Sequence, residues 1–238
     1  MKLYDPTILK TQEVLDHARA QVIPFTGGRV WKDAGESVFV MQRDAAYELG
    51  GGDLPSVNYT CVTTSGLIGR DEIVICGPDL PEIKADTPFA RIVLLETEDL
   101  KETEDTQKAY DRIREIEYVR YHVFPAGYMV RVSAATNREQ VRISSRAAKA
   151  GISFQYIGGT YIRKYRKLPA VRHVRIIFVT ERSVVEALSP FAKKVDDITR
   201  TLTHILDGLP TDCGHCDMKS VCDEVEGMRE MHLGKKKP

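Results

Sequence analysis

The run Val174-Arg-Ile-Ile-Phe-Val179 constrains this chain more than any other stretch. It is β-branched, apolar and bounded by turn residues, which predicts a strand. Further β-rich runs occur at 57–63, 72–76 and 89–95. A short strand is expected at 37–41, and a strand or strand-to-helix switch at 141–144. A hairpin is expected about Pro125-Ala-Gly127, with arms at 119–124 and 128–133. Helical patterns alternate with these runs. Asp5-Pro6 opens a helix to about Gln21, with Asp5 as N-cap. Residues 103–115, 145–150 and 158–165 read as helices. Thr180 can cap a helix to Leu188, and Ser189-Pro190 then starts a last long helix that Gly208 ends. Mixed helices and strands place the chain in the α/β or α+β class, a mixed sheet with packed helices. The texture changes at Gly208-Leu209-Pro210. Residues 1–208 therefore form the main domain, and 209–238 a small cysteine-rich metal-binding appendage with a basic tail.

The 238 residues suffice for a sizeable core. With 42% hydrophobic and 29% charged side chains, the composition is that of a soluble folded protein. The apolar runs are too short to span a membrane, and the first residues lack the apolar stretch of a secretory signal. A cytoplasmic protein is the expectation. Formal net charge is zero, yet residues 131–175 hold eleven Lys and Arg against Glu139 alone, a local surplus of +10. The acids concentrate elsewhere, as at 96–105. Such a surplus can attract an anionic ligand, or it can simply be a solvated basic face. No helix-turn-helix or RNP-like signature accompanies it, so nucleic acid is not the expected partner.

Five cysteines are present, and three of them, Cys213, Cys216 and Cys222, fall within ten positions. That arrangement suits metal or redox chemistry better than a disulfide framework. A C-x2-C turn can aim two thiolates at one ion. A third thiolate close behind permits an iron–sulfur cluster or three corners of a zinc tetrahedron. His232 and His215 are the candidate fourth ligands, and His215 is cramped between the first two cysteines. The bland alternative is a set of free thiols. Cys61 and Cys76 lie in apolar strand contexts and read as core. His122 and His173 lie in strand-like contexts and read as structural or surface residues rather than catalysts. Tyr156, Tyr161 and Tyr165 lie near the basic segment, where they could stack an adenine ring or pack in the core. There is no P-loop, G-x-S-x-G elbow or H-E-x-x-H.

Several stretches resemble the acetyl-CoA synthase family of anaerobic one-carbon metabolism. They are Gly28-Arg-Val-Trp-Lys-Asp33, Glu48-Leu-Gly-Gly-Gly52, Asp71-Glu-Ile-Val-Ile-Cys-Gly-Pro-Asp-Leu80, Val141-Arg-Ile-Ser144, Ala147-Ala-Lys-Ala-Gly-Ile152 and residues 174–185. The cysteine loop follows where the family places its own. The resemblance runs from about residue 26 to 234 and covers the family's middle region and the start of its last domain. It implies that Cys213, Cys216 and Cys222 hold a [4Fe–4S] cluster, with His232 where the family has a fourth cysteine, and that nickel is a further candidate, while zinc stays open from the cysteine spacing alone. It also implies coenzyme A binding by the basic segment, through Arg131, Arg138, Arg142, Arg163, Lys164, Arg166 and Lys167. Corrinoid or carbon monoxide dehydrogenase-type proteins are the implied partners. The family's nickel-binding Cys-Gly-Cys does not occur in this sequence. The expectation is thus a metal- or cluster-binding protein that does not make acetyl-CoA alone. The alternative is a non-enzymatic coenzyme A-binding or scaffold module with structural zinc.

Overall fold

The computed structural model describes residues 2–35, 38–98, 106–133, 138–206 and 219–224. The first helix, α1 (Asp5–His17), is followed by strand β1 (Gln21–Pro24) and a single 3-10 turn (Gln42–Asp44). Strands β2 (Ala45–Leu49), β3 (Val57–Thr63), β4 (Glu72–Cys76) and β5 (Ala90–Thr97) come next. Helix α2 (Thr106–Tyr121), strands β6 (Tyr128–Val132) and β7 (Glu139–Ser144), and helices α3 (Ser145–Lys149) and α4 (Phe154–Tyr165) follow. The described chain ends with β8 (Val171–Val179), α5 (Arg182–Leu206) and α6 (Lys219–Glu224).

Five strands form a mixed sheet in the order β1-β4-β8-β5-β3. The pairs β4–β8 and β3–β5 are parallel, whereas β1–β4 and β5–β8 are antiparallel. Strands β3, β4 and β5 are buried along their whole length, which explains why apolar residues in them do not alternate with exposed polar ones. One sheet face carries Val62, Val93, Leu95, Ile176 and Phe178 against Ile157 and Ile162 of α4. The other carries Tyr59, Cys61, Ile92, Leu94 and Ile177 against Ile8 of α1 and Leu188 and Ile198 of α5. A second, antiparallel sheet in the order β2-β7-β6 packs Tyr47, Leu49, Val141 and Ile143 into the α4 side of the core. The expected mixed α/β architecture is thus present.

Several local expectations need correction. Residues 119–124 do not form a strand: α2 continues to Tyr121, and β6 pairs with β7. Ile116 and Val119 are buried one turn apart on α2, which outweighs the β-branched composition, and Val123 is buried just beyond the helix. Residues 38–41 are not a strand either, because side chains rather than a backbone ladder hold Val40. No break occurs at Ser189-Pro190: α5 is one helix with Pro190 inside it. Its apolar stripe of Val184, Val185, Leu188, Ala192, Val195, Ile198 and Leu202 is buried. At roughly 1.5–3 kcal/mol for each large aliphatic residue, that burial exceeds the ~3 kcal/mol cost of an internal proline. Asp5 does not cap α1, since Tyr4 holds that position. The Asp5 carboxylate instead accepts from Thr63 Oγ1 and Ser65 Oγ, both at 2.6 Å. Strands β1 and β2 have no counterpart among the expected strands. Strand β1 is an edge strand, exposed at three of its four residues, and carries no periodic signal.

Candidate ligand cleft

The seven cations expected to bind a cofactor do not converge. Arg131 and Arg142 meet on one carboxylate, with Arg131 Nη2 2.6 Å from Glu48 Oε2 and Arg142 Nη2 2.6 Å from Glu48 Oε1. Burial raises the pKa of Glu48, but the hydrogen bonds and charges of Arg142 and Arg131 outweigh it, so the carboxyl sits below its usual range. Arg138 pairs with Asp196 at 3.2 Å, Lys164 with Asp33 at 3.3 Å and Arg166 with Asp71 at 3.5 Å. Arg163 donates to the Gly27 carbonyl, and Lys167 is exposed past the end of α4. Arg175, in the same segment, pairs with the buried Glu72 at 2.7 Å. Acids distant in sequence thus neutralise much of the +10 surplus.

The tyrosines divide similarly. Tyr161 and Tyr165 are buried in the core. Tyr161 accepts from Arg91, a guanidinium only 1% exposed that also binds Glu139 at 2.6 Å. Burial works against the Arg91 charge, but Glu139 and the surrounding tyrosines overcome it, so its pKa is raised. Tyr156 is half-buried and stacks on Trp31, with centroids 6.1 Å apart. Cys61 and Cys76 are buried free thiols, as expected of core residues. Burial pushes both thiol pKa values up.

A cleft of about 800 Å³ opens on the small-sheet side of the molecule, within the size range of ligand pockets. Its walls are Trp31 and Lys32, the segment 38–40 with Arg43 and Asp44, and Arg146, Ala147 and Ala150 at α3. Ala126, Gly127, Ser144 and Ser145 complete the lining. Gly127 has φ +75°, and a Cβ there would lie 2.5 Å from Ser144 Oγ and 2.6 Å from Ala147 Cβ. Only glycine lets the turn before β6 lie this close to α3. Ser144 Oγ accepts from Ala147 N at 3.1 Å and caps the helix. Trp31 is fixed by its Nε1–H to the Ala126 carbonyl at 2.7 Å and by backbone bonding to Tyr156 O.

Among the described residues, Lys32, Arg43 and Arg146 bring three positive charges to the lining against one carboxylate, Asp44, a balance of +2. Asp44 is 4.0 Å from Arg43, and both are mostly exposed, so that pair is weak. Lys32 and Arg146 form no ion pair with a carboxylate among the described residues. The cleft can therefore take an anionic, partly apolar ligand. Arg146 belongs to the basic segment. Lys32 and Trp31 lie in the Gly28–Asp33 stretch, but as a local sequence neither indicated a cleft. Arg43 carries no local signal, because it reaches the lining only through the fold, which brings residues 38–44 and α3 to one cleft.

The Gly77-Pro78-Asp79 stretch has a structural task. Asp79 Oδ1 accepts from Phe154 N at 2.7 Å and Leu80 N at 2.6 Å, joining the end of β4 to the start of α4. Cys213, Cys216 and His232 lie outside the described residues, and Cys222 falls in α6. Among the described residues, no group of His, Cys, Asp and Glu could hold a metal ion. No helix of the described residues is long and apolar enough to cross a membrane. No family model and no curated protein matches this chain.

Proposed function

We propose that this chain is an acetyl-CoA synthase-like protein that binds coenzyme A in the cleft and a metal centre at its C-terminal cysteines. The observation that carries the reading is the cleft, which puts Lys32, Arg43 and Arg146 beside Trp31 with one opposing carboxylate among the described residues. Arginine forks suit phosphate oxygens, and each charge-assisted hydrogen bond is worth about 1.5–3 kcal/mol. Coenzyme A should bind in calorimetry, more tightly than its analogue without the 3′-phosphate, with a difference that shrinks in salt. Arg146→Ala combined with Lys32→Ala should weaken binding at least about tenfold. No detectable heat at millimolar ligand, or an unchanged affinity in the double variant, would sink the reading.

In this proposal residues 209–238 are a metal-binding appendage. Cys213, Cys216 and Cys222 supply thiolates and His232 an imidazole, a donor set that fits zinc or an iron–sulfur cluster. Such a centre would supply structural cross-linking or electron storage. Elemental analysis and visible spectra of anaerobically prepared protein distinguish the two, and Cys216→Ala should abolish either. Without a Cys-Gly-Cys chelate for nickel, these 238 residues do not form acetyl-CoA by themselves. The proposed role is in one-carbon metabolism, alongside corrinoid or carbon monoxide dehydrogenase-type partners.

A further inference from the structure

The most exposed large apolar side chain among the described residues is Phe39, at 82%, and it lines the cleft. Its backbone is not loose. The next residue, Val40, is buried and held at both polar atoms. Its N–H meets Met129 Sδ at 3.2 Å, and its carbonyl accepts from Arg142 Nη1 at 2.9 Å. Arg142 is itself held by its Nε–H to Glu48 Oε1 at 2.7 Å, and Arg131 Nη2 holds the other Glu48 oxygen at 2.6 Å. The 3-10 turn beyond is closed by Asp44 N to Met41 O at 2.9 Å. A clamped strut thus presents an aromatic ring to solvent in a cationic cleft. An exposed apolar ring is unfavourably hydrated, and a ligand ring stacked on it removes that surface from water.

We infer that the cleft takes the nucleotide end of its ligand, with the base stacked on Phe39 and the phosphates on Lys32, Arg43 and Arg146. This rests on the coenzyme A reading and names the part of the molecule recognised. The thiol-bearing arm is uncharged and has no use for the +2 balance of the lining, whereas the nucleotide end brings both a flat aromatic base and its phosphates. Arg142, one of the cations expected from sequence to touch cofactor, acts instead as a positioning residue through Val40. Arg131 supports it through Glu48.

Trp31 is the sole tryptophan of the chain and lines the cleft, so its fluorescence reports occupancy directly. The experiment titrates the full chain with four probes: coenzyme A, adenosine 3′,5′-bisphosphate, inorganic pyrophosphate and pantetheine. Adenosine bisphosphate should compete with coenzyme A, and pantetheine should not. Phe39→Ala should weaken adenosine bisphosphate roughly tenfold or more while leaving pyrophosphate unchanged, as base–aromatic stacking is worth about 1–3 kcal/mol. Phe39→Tyr should restore the affinity. Arg142→Gln should lower the ratio of bisphosphate to pyrophosphate affinity, which a general loss of stability would not change. Coenzyme A and pantetheine binding without adenosine bisphosphate would overturn the inference and leave the coenzyme A reading standing. Equal weakening of bisphosphate and pyrophosphate by Phe39→Ala would overturn the stacking role. Failure of all four probes would remove both.

Discussion

Replacing Glu139 with alanine should be among the most damaging single changes in this protein. The carboxylate is 3% exposed and bridges two guanidiniums, Arg91 Nη2 at 2.6 Å and Arg120 Nε at 2.8 Å. Arg91, at 1% exposure, has no route to water, so the substitution leaves a buried charge without its counter-ion. Breaking a buried pair from one side costs about 3–5 kcal/mol. A domain is stable by only about 5–15 kcal/mol, so the loss is a large share of the total. For a chain of this size, it corresponds to a drop in Tm of roughly 6–20 °C. Urea unfolding of wild type and Glu139→Ala, followed by circular dichroism, measures it. Adding Arg91→Met should recover part of the loss, because the unpaired charge is then gone, and the double-mutant cycle should show coupling above about 1 kcal/mol. A Glu139→Ala cost below about 1 kcal/mol, the value of an exposed pair, would refute the buried-network account.

Glu48 makes stability pH-dependent. Its carboxyl is held below the usual range when folded, so the unfolded chain binds the proton more readily. Its contribution is therefore full above the unfolded pKa of about 4.3 and is lost as pH falls through the lower folded value. Urea midpoints of wild type and Glu48→Gln should differ by a constant amount at neutral pH and converge on acidification; divergence would contradict the sign. Gly159→Ala would put a Cβ 2.3 Å from the Arg29 carbonyl and 2.8 Å from Phe25 Cε2. Such overpacking should cost about 1–3 kcal/mol and, by moving residues 25–31, alter Trp31 fluorescence. Pro190→Ala should stabilise α5 by at least about 1 kcal/mol, since an internal proline is about 3 kcal/mol worse than alanine and the added unfolded-state freedom recovers only part. Thermal melts decide the last two, and a destabilised Pro190→Ala would mean that α5 depends on a proline-induced bend.

Runs whose composition and burial agree were legible without coordinates. Strands β3, β4, β5 and β8 follow from segments rich in β-branched and apolar residues, because strands covered on both faces need no polar alternation. The burial of Cys61 and Cys76 followed from the same segments. Boundaries failed where long-range packing decides. Val119 is a β-former by type, yet α2 buries it one turn after Ile116, and Pro190 is a breaker that a long apolar stripe overrides. The basic segment shows the same limit for the candidate site. Its eleven cations were countable, but Glu48, Asp33, Asp71, Glu72 and Asp196 lie well outside the segment and are brought to it by the fold.

By itself the sequence determined the mixed α/β class, the buried strands, the core thiols and the presence of excess positive charge, all of which depend on residue type and near-neighbour spacing. Only the tertiary structure decided which charges remain free. Charges compensate through space over a few ångströms, and the partners of Arg131 and Arg142 stand more than eighty residues away along the chain. The same packing joined Lys32, Arg43 and Arg146 across more than one hundred residues and held Phe39 beside them. A cleft is a property of surfaces brought together, and no local stretch of sequence encodes it.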